Sequence, residues 1–85
     1  MFKLDGDVLM VNLPTGRTQR ELVREARTEI QRMVETGKLY GKDLKVTGRI
    51  TTGMAMMMGH ELAHVCKSVS IFDPKENEYI RVISH

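Results

Sequence analysis

The chain is poor both in the residues that fill large cores and in those that staple small ones. It has no tryptophan, two phenylalanines, two tyrosines, two prolines and a single cysteine in 85 residues. One cysteine closes no internal disulfide, which excludes the stapled secreted scaffolds and fits a reducing compartment. No apolar run has the length of a signal sequence or a membrane span, so a cytoplasmic location without a membrane partner is expected. Excess charge of one sign is also missing. A net charge of +2 does not by itself announce a nucleic-acid partner, so the placement of individual basic residues has to carry that question. A chain this short buries only roughly 60–65% of its surface, and so thin a core makes self-association expected. Residues 1–85 read as one domain, with Cys66 a small core residue.

What is present has a clear order. Phe2 to Leu4 and Val8 to Leu13 are short apolar runs separated by Asp5-Gly6-Asp7, a hairpin signal. Pro14-Thr15-Gly16 breaks the second run. Thr18 to Thr36 is the clearest helix: Thr18 and Glu21 have the spacing of a capping box, Leu22, Ala26, Ile30 and Met33 recur at helical period, and Gly37 is placed to end it. Its other face mixes Arg20, Arg24, Arg27 and Arg32 with Glu21, Glu25, Glu29 and Glu35 and reads as solvated scaffold. Leu39 to Lys42 reads as a loop and Asp43 to Thr47 as a half-buried strand. A second helix begins at Thr51 or Thr52 and runs to about Cys66, although Gly53 and Gly59 each cost it about 1 kcal/mol relative to alanine. Ser68 to Phe72 and Tyr79 to Ile83 are strands joined by a turn over Pro74 to Asn77. The order ββαβαββ implies an α+β two-layer sandwich, ferredoxin-like in style, with two helices on one face of a mixed sheet of four to five strands.

The stretch from Gly48 to Asp73 carries the chemistry. On the second helix Met54, Met58, Leu62 and Val65 share a face that should lie on the sheet. His60 and His64, only 40° apart at 100° per residue, fall on the far side, flanked by Met56, Met57 and Ala63. Apolar side chains pointing away from their own core imply a cover, hence an expected protomer interface with histidines in it. His64 comes just before the Ser68 strand and Asp73 ends it, so the two sit about 15 Å apart. A final hairpin returns His85 toward the His64 end. At the Asp73 end, the free amides of the helix N-terminus at Thr51 and Thr52, with Arg49 and Lys75, suit an anion such as phosphate. Groups acting on one atom must lie within a few ångströms of it, so a site using both ends has to borrow one from a second protomer.

Two resemblances bear on the reaction. His60-Glu61-Leu62-Ala63-His64 matches the H-E-x-x-H pattern of zinc peptidases, in which the histidines hold Zn²⁺ and the glutamate activates water. From Val46 to His85 the chain also resembles the small CRISPR-associated ring nuclease family of type III systems, which degrades cyclic oligoadenylate. The shared features are Gly48-Arg49 before the helix, His60, the Ala63-His64 pair, the apolar strand into Asp73-Pro74, and Ser84-His85. That resemblance implies a Mn²⁺-dependent phosphodiesterase, or one using another divalent cation. It would bind cyclic oligoadenylate or a short RNA between facing protomers of a homodimer or homotetramer. Carried over by position, His64, Asp73 and His60 are the catalytic set. Asp73, His64 and His85 are the metal set, and Arg49, Thr51, Thr52 and Lys75 hold the substrate. A binding module of the same ligand class without turnover is the alternative from a different class.

Overall fold

The computed structural model describes residues 1–84; the expectation for His85 lies outside the described residues. The elements are β1 (Phe2–Asp5), β2 (Val8–Val11), α1 (Gln19–Glu35), β3 (Asp43–Gly48), α2 (Thr52–Ala63), β4 (Ser68–Asp73) and β5 (Glu78–Ser84). The fold is the expected α+β sandwich: a five-stranded mixed sheet with the two helices. The strands lie in chain order, β1-β2-β3-β4-β5. β2, β3 and β4 are parallel, while β1 and β5 are antiparallel additions at the two edges. Each parallel step crosses over through a helix and both steps move the same way across the sheet, and two crossovers of the same hand put their helices on the same side. Both helices therefore land on one face, where they pack on each other and leave the opposite face of the sheet uncovered.

Local sequence accounts for most boundaries. Asp5 pairs with Val8, and Gly6 takes a φ of 60° in the two-residue loop between them, a conformation that glycine adopts without steric penalty. Thr18 caps α1 as expected. Its hydroxyl accepts from the Glu21 amide at 3.2 Å, and the Glu21 carboxylate accepts from the Thr18 amide at 2.9 Å. Those hydrogen bonds to Thr18 hold the Glu21 carboxyl below its ordinary value. The stripe Leu22, Ala26 and Ile30 is buried and meets Leu9, Leu44, Val46, Met54 and Leu62 in one core. Each of these side chains larger than Ala26 contributes about 1.5–3 kcal/mol by leaving water.

Four boundaries or placements differ from expectation. β2 stops at Val11, because the Asn12 amide already turns back to the Met1 carbonyl at 2.7 Å. α2 stops at Ala63 with His64 as its C-cap, so Val65 lies beyond the helix and is only half-buried. Met57 is buried on the side of α2 that faces α1 and does not flank the histidines on the outer surface. Its cover is the chain's own first helix, and of the methionines beside the histidines only Met56, 75% exposed, is left bare. Leu39, in the segment read as a plain loop, is fully buried. The Gly41 amide bonds to the Val65 carbonyl and the Lys67 amide to the Lys42 carbonyl, both at 2.8 Å, which draws that loop under the end of α2. Cys66 belongs to the same corner. It is buried, its thiol donates to the Leu39 carbonyl at 3.6 Å, and burial pushes its pKa up.

Candidate functional site

The sheet register places the candidate residues at two ends of the domain. β3 pairs with β4 from Asp43 opposite Ser68 to Val46 opposite Ile71. Beyond that pair the two parallel strands run on in the same direction, β3 to Gly48 and β4 to Asp73. Arg49, the start of α2 and the Asp73 hairpin therefore share one rim. α2 crosses back over the sheet, and His64 caps it four residues before Ser68. The imidazoles and Asp73 lie at opposite ends of β4, which spans about 16 Å.

At the histidine rim, the Nε2 atoms of His60 and His64 are 3.4 Å apart, and their rings meet edge to face with centroids 4.8 Å apart. Both side chains are exposed. Two nitrogens at that spacing, each about 2.05 Å from a shared ion, subtend roughly 110° at it, near a tetrahedral angle. The pair thus fits two positions of a divalent cation. No group of three or more His, Cys, Asp or Glu side chains able to hold a metal occurs among the described residues. Tyr40, 78% exposed, belongs to the loop tied to Val65 and stands at this rim. Sequence reasoning passed over it because nothing in the local pattern tells an exposed loop tyrosine beside a site from any other.

The Arg49 rim is built around Gly48. Its φ is 107°, and a Cβ there would run into the Val11 carbonyl of the paired strand. Only glycine lets β3 approach β2 this closely and still turn outward into Arg49. Arg49 is exposed, has no ion-pair partner among the described residues, and borders a shallow hollow with Val11 to Thr15. Thr51 is committed to structure. Its hydroxyl accepts from the Met54 amide at 3.2 Å and pairs with the Gln19 side-chain oxygen at 2.7 Å. The amides of Thr52 and Gly53 remain as first-turn donors, with no acidic residue in that turn to offset the helix dipole. One Asp73 oxygen accepts from the Lys75 amide at 3.0 Å, the local turn bond common to Asp before a turn. Lys75 is exposed on that hairpin.

Glu61 falls on the α1 side of α2, where Gln31 donates to its carboxylate at 3.2 Å. The H-E-x-x-H pattern thus brings its two histidines together and engages its glutamate with the scaffold helix. The structure brings His60 against His64, and it sets Arg49 beside the hollow next to β2 and Asp73 at the end of β4 on the opposite rim from the imidazoles. It does not unite the two groups within one copy. Comparison of the chain with family models, with curated proteins and with solved structures gives no match.

Proposed function

We propose that this chain binds and cleaves cyclic oligoadenylate at a site completed by two copies, acting as a metal-dependent phosphodiesterase. The observation that carries the reading is the distribution of groups along β4: an imidazole pair with Nε2 atoms 3.4 Å apart at one end, and Asp73 at the other, on the rim where β3 leads into Arg49 and α2. Neither end suffices alone. When a second copy faces the first, the rim that grips phosphate meets the rim that handles protons and metal.

Each side chain then has a task. Arg49 gives charge-assisted hydrogen bonds to a phosphate oxygen, supported by the α2 amides and by Lys75. Thr51 positions those amides through its cap. His60, in contact with His64, takes up or delivers a proton at the scissile phosphodiester. His64 and the second copy's Asp73, with His85, would hold a Mn²⁺-like divalent cation, which when bound polarises a phosphate oxygen. Tyr40, an aromatic ring at the histidine rim, offers a stacking surface for an adenine base. The Glu61–Gln31 contact favours this reading over a zinc peptidase, whose water-activating carboxylate must face the metal.

The test incubates cyclic tetra-adenylate with the protein, with and without Mn²⁺, and follows linear products by chromatography. Product formation that needs the cation and is lost in His64→Ala supports the reading. Binding without product in every cation leaves a non-catalytic module in its place, and loss of activity in Glu61→Ala with co-purified zinc favours the peptidase.

A further inference from the structure

The core takes its bulk from leucine and methionine, and no phenylalanine or tyrosine is among its buried side chains. Of the chain's two phenylalanines and two tyrosines, Phe72 and Tyr79 stand side by side on the face of the sheet that the helices leave open. Strand alternation puts them there. Leu9, Leu44, Val46 and Val69 are buried toward α1 and α2, so the residues between them on each strand point the other way. Phe72 pairs with Tyr79, and Ser70 pairs with Arg81 on one side and Lys45 on the other. Two aromatic rings and two cations are therefore neighbours on the open face of β3, β4 and β5.

The rings of Phe72 and Tyr79 meet edge to face with centroids 5.3 Å apart, and the Lys45 ammonium lies 5.7 Å from the centre of the Tyr79 ring. Tyr79, Lys45 and Arg81 are exposed, and neither cation has an ion-pair partner among the described residues. The carboxylates of the same face lie outside this cluster. Asp5 belongs to the β1 edge, and Asp43, at the start of β3, accepts from the Ser68 hydroxyl at 2.6 Å. A sheet face that only meets water is served by polar side chains. Aromatic rings set among unpaired cations are instead the combination that holds a single strand, whose bases stack while its phosphates meet positive charge.

We infer that this open face binds single-stranded nucleic acid, a base stacking on the Phe72–Tyr79 pair and the flanking phosphates meeting Lys45 and Arg81. Charge selects the occupant. A second copy laid on the face would crowd two Lys45 and two Arg81 side chains into one dry layer with nothing to offset them. A phosphate backbone neutralises the same charges and releases its counterions. The Lys45 ammonium, on a flexible stem, swings from the ring to a phosphate when a base takes its place. A duplex fits less well, because its bases are already stacked on one another and offer no free π-face. None of the groups assigned to the two rims of the domain belongs to this face.

The experiment titrates the protein into fluorescein-labelled decauridylate and, in a second arm, decathymidylate, and reads fluorescence anisotropy at several salt concentrations. Both strands are expected to bind, and more tightly than a duplex of equal length. Tyr79→Ala is expected to weaken binding roughly 5- to 100-fold, the loss of one stacked base. With two phosphate contacts, the logarithm of affinity should fall against the logarithm of salt with a slope of about −1.4, and Arg81→Ala should bring that slope to about −0.7. Circular dichroism checks that each variant is folded. Arg24→Ala, on the exposed face of α1, is expected to keep both affinity and slope. No anisotropy change at millimolar protein in low salt, in either arm, overturns the inference. So do wild-type affinity in both Tyr79→Ala and Arg81→Ala, an equal loss in Arg24→Ala, or a duplex bound as tightly as the single strands. An oligomer that Tyr79→Ala and Arg81→Ala dissociate on light scattering, with no strand bound, gives the face to a protein contact and overturns it too. A protein that cleaves cyclic tetra-adenylate but binds neither linear strand loses this face alone; one that binds both through Tyr79 and Arg81 and cleaves nothing keeps the face and loses the nuclease reading.

Discussion

Replacing Gly48 with alanine tests the link between backbone geometry and the Arg49 rim. A residue with a side chain at φ 107° occupies a sparsely populated conformation that costs about 1–3 kcal/mol. The added Cβ also meets the Val11 carbonyl and amide of the adjoining strand. That obstacle is backbone, which cannot swing aside, so β2 and β3 must part at their ends and lose about two ladder hydrogen bonds at ~1 kcal/mol each. The expected total is about 3–5 kcal/mol, a large share of the ~4–13 kcal/mol available to a domain of this length. At ~4–8 °C per kcal/mol, Gly48→Ala should lower the thermal midpoint by at least ~12 °C, read by circular dichroism and checked by urea titration. Gly59→Ala is the matched control. Its Cβ would meet only the Ile83 side chain, at 3.7 Å, and the helix gains up to ~1 kcal/mol. A Gly48→Ala protein within ~0.5 kcal/mol of wild type would refute the reasoning, because neither the strain nor the overlap would then be present.

Further outcomes follow from the packing and from the helix cap. Leu39→Ala should destabilise by about 2–5 kcal/mol, as for a fully buried leucine, in urea titration. It should also speed alkylation of Cys66, whose thiol burial keeps protonated and covered. Thr18→Ala should cost about 1 kcal/mol through loss of the cap. The stabilisation from Glu21 is present above its ordinary pKa of 4.5 and is lost as pH falls through the lower folded value. Wild type and Glu21→Ala should therefore converge on acidification, and a gap that stays constant from neutral pH to well below 4.5 would contradict that cause.

The fold was legible because its signals are local. The capping box at Thr18, the period of Leu22, Ala26 and Ile30, and the Asp-Gly turn each act within a few residues. What was missed is set by contacts distant in sequence. Met57 looked outward on a helical wheel because the wheel ignores α1, which lies beside α2 and buries it. Leu39 looked like loop because its burial depends on the end of α2 folding over it. For the site, chain direction alone separated His64 from Asp73, since a helix between parallel strands must cross the whole sheet. The capping role of Thr51 was also readable, but its pairing with Gln19 across 32 positions was not. Tyr40 had no local signature at all.

Complementation tests the shared site most directly. His64→Ala and Asp73→Ala proteins are each assayed on cyclic tetra-adenylate with Mn²⁺, then mixed in varying ratio. If each site takes its imidazoles from one copy and its carboxylate from another, each variant alone is inactive and the mixture regains partial activity, with a maximum near equal amounts. Mixtures as inactive as either variant at every ratio would contradict it.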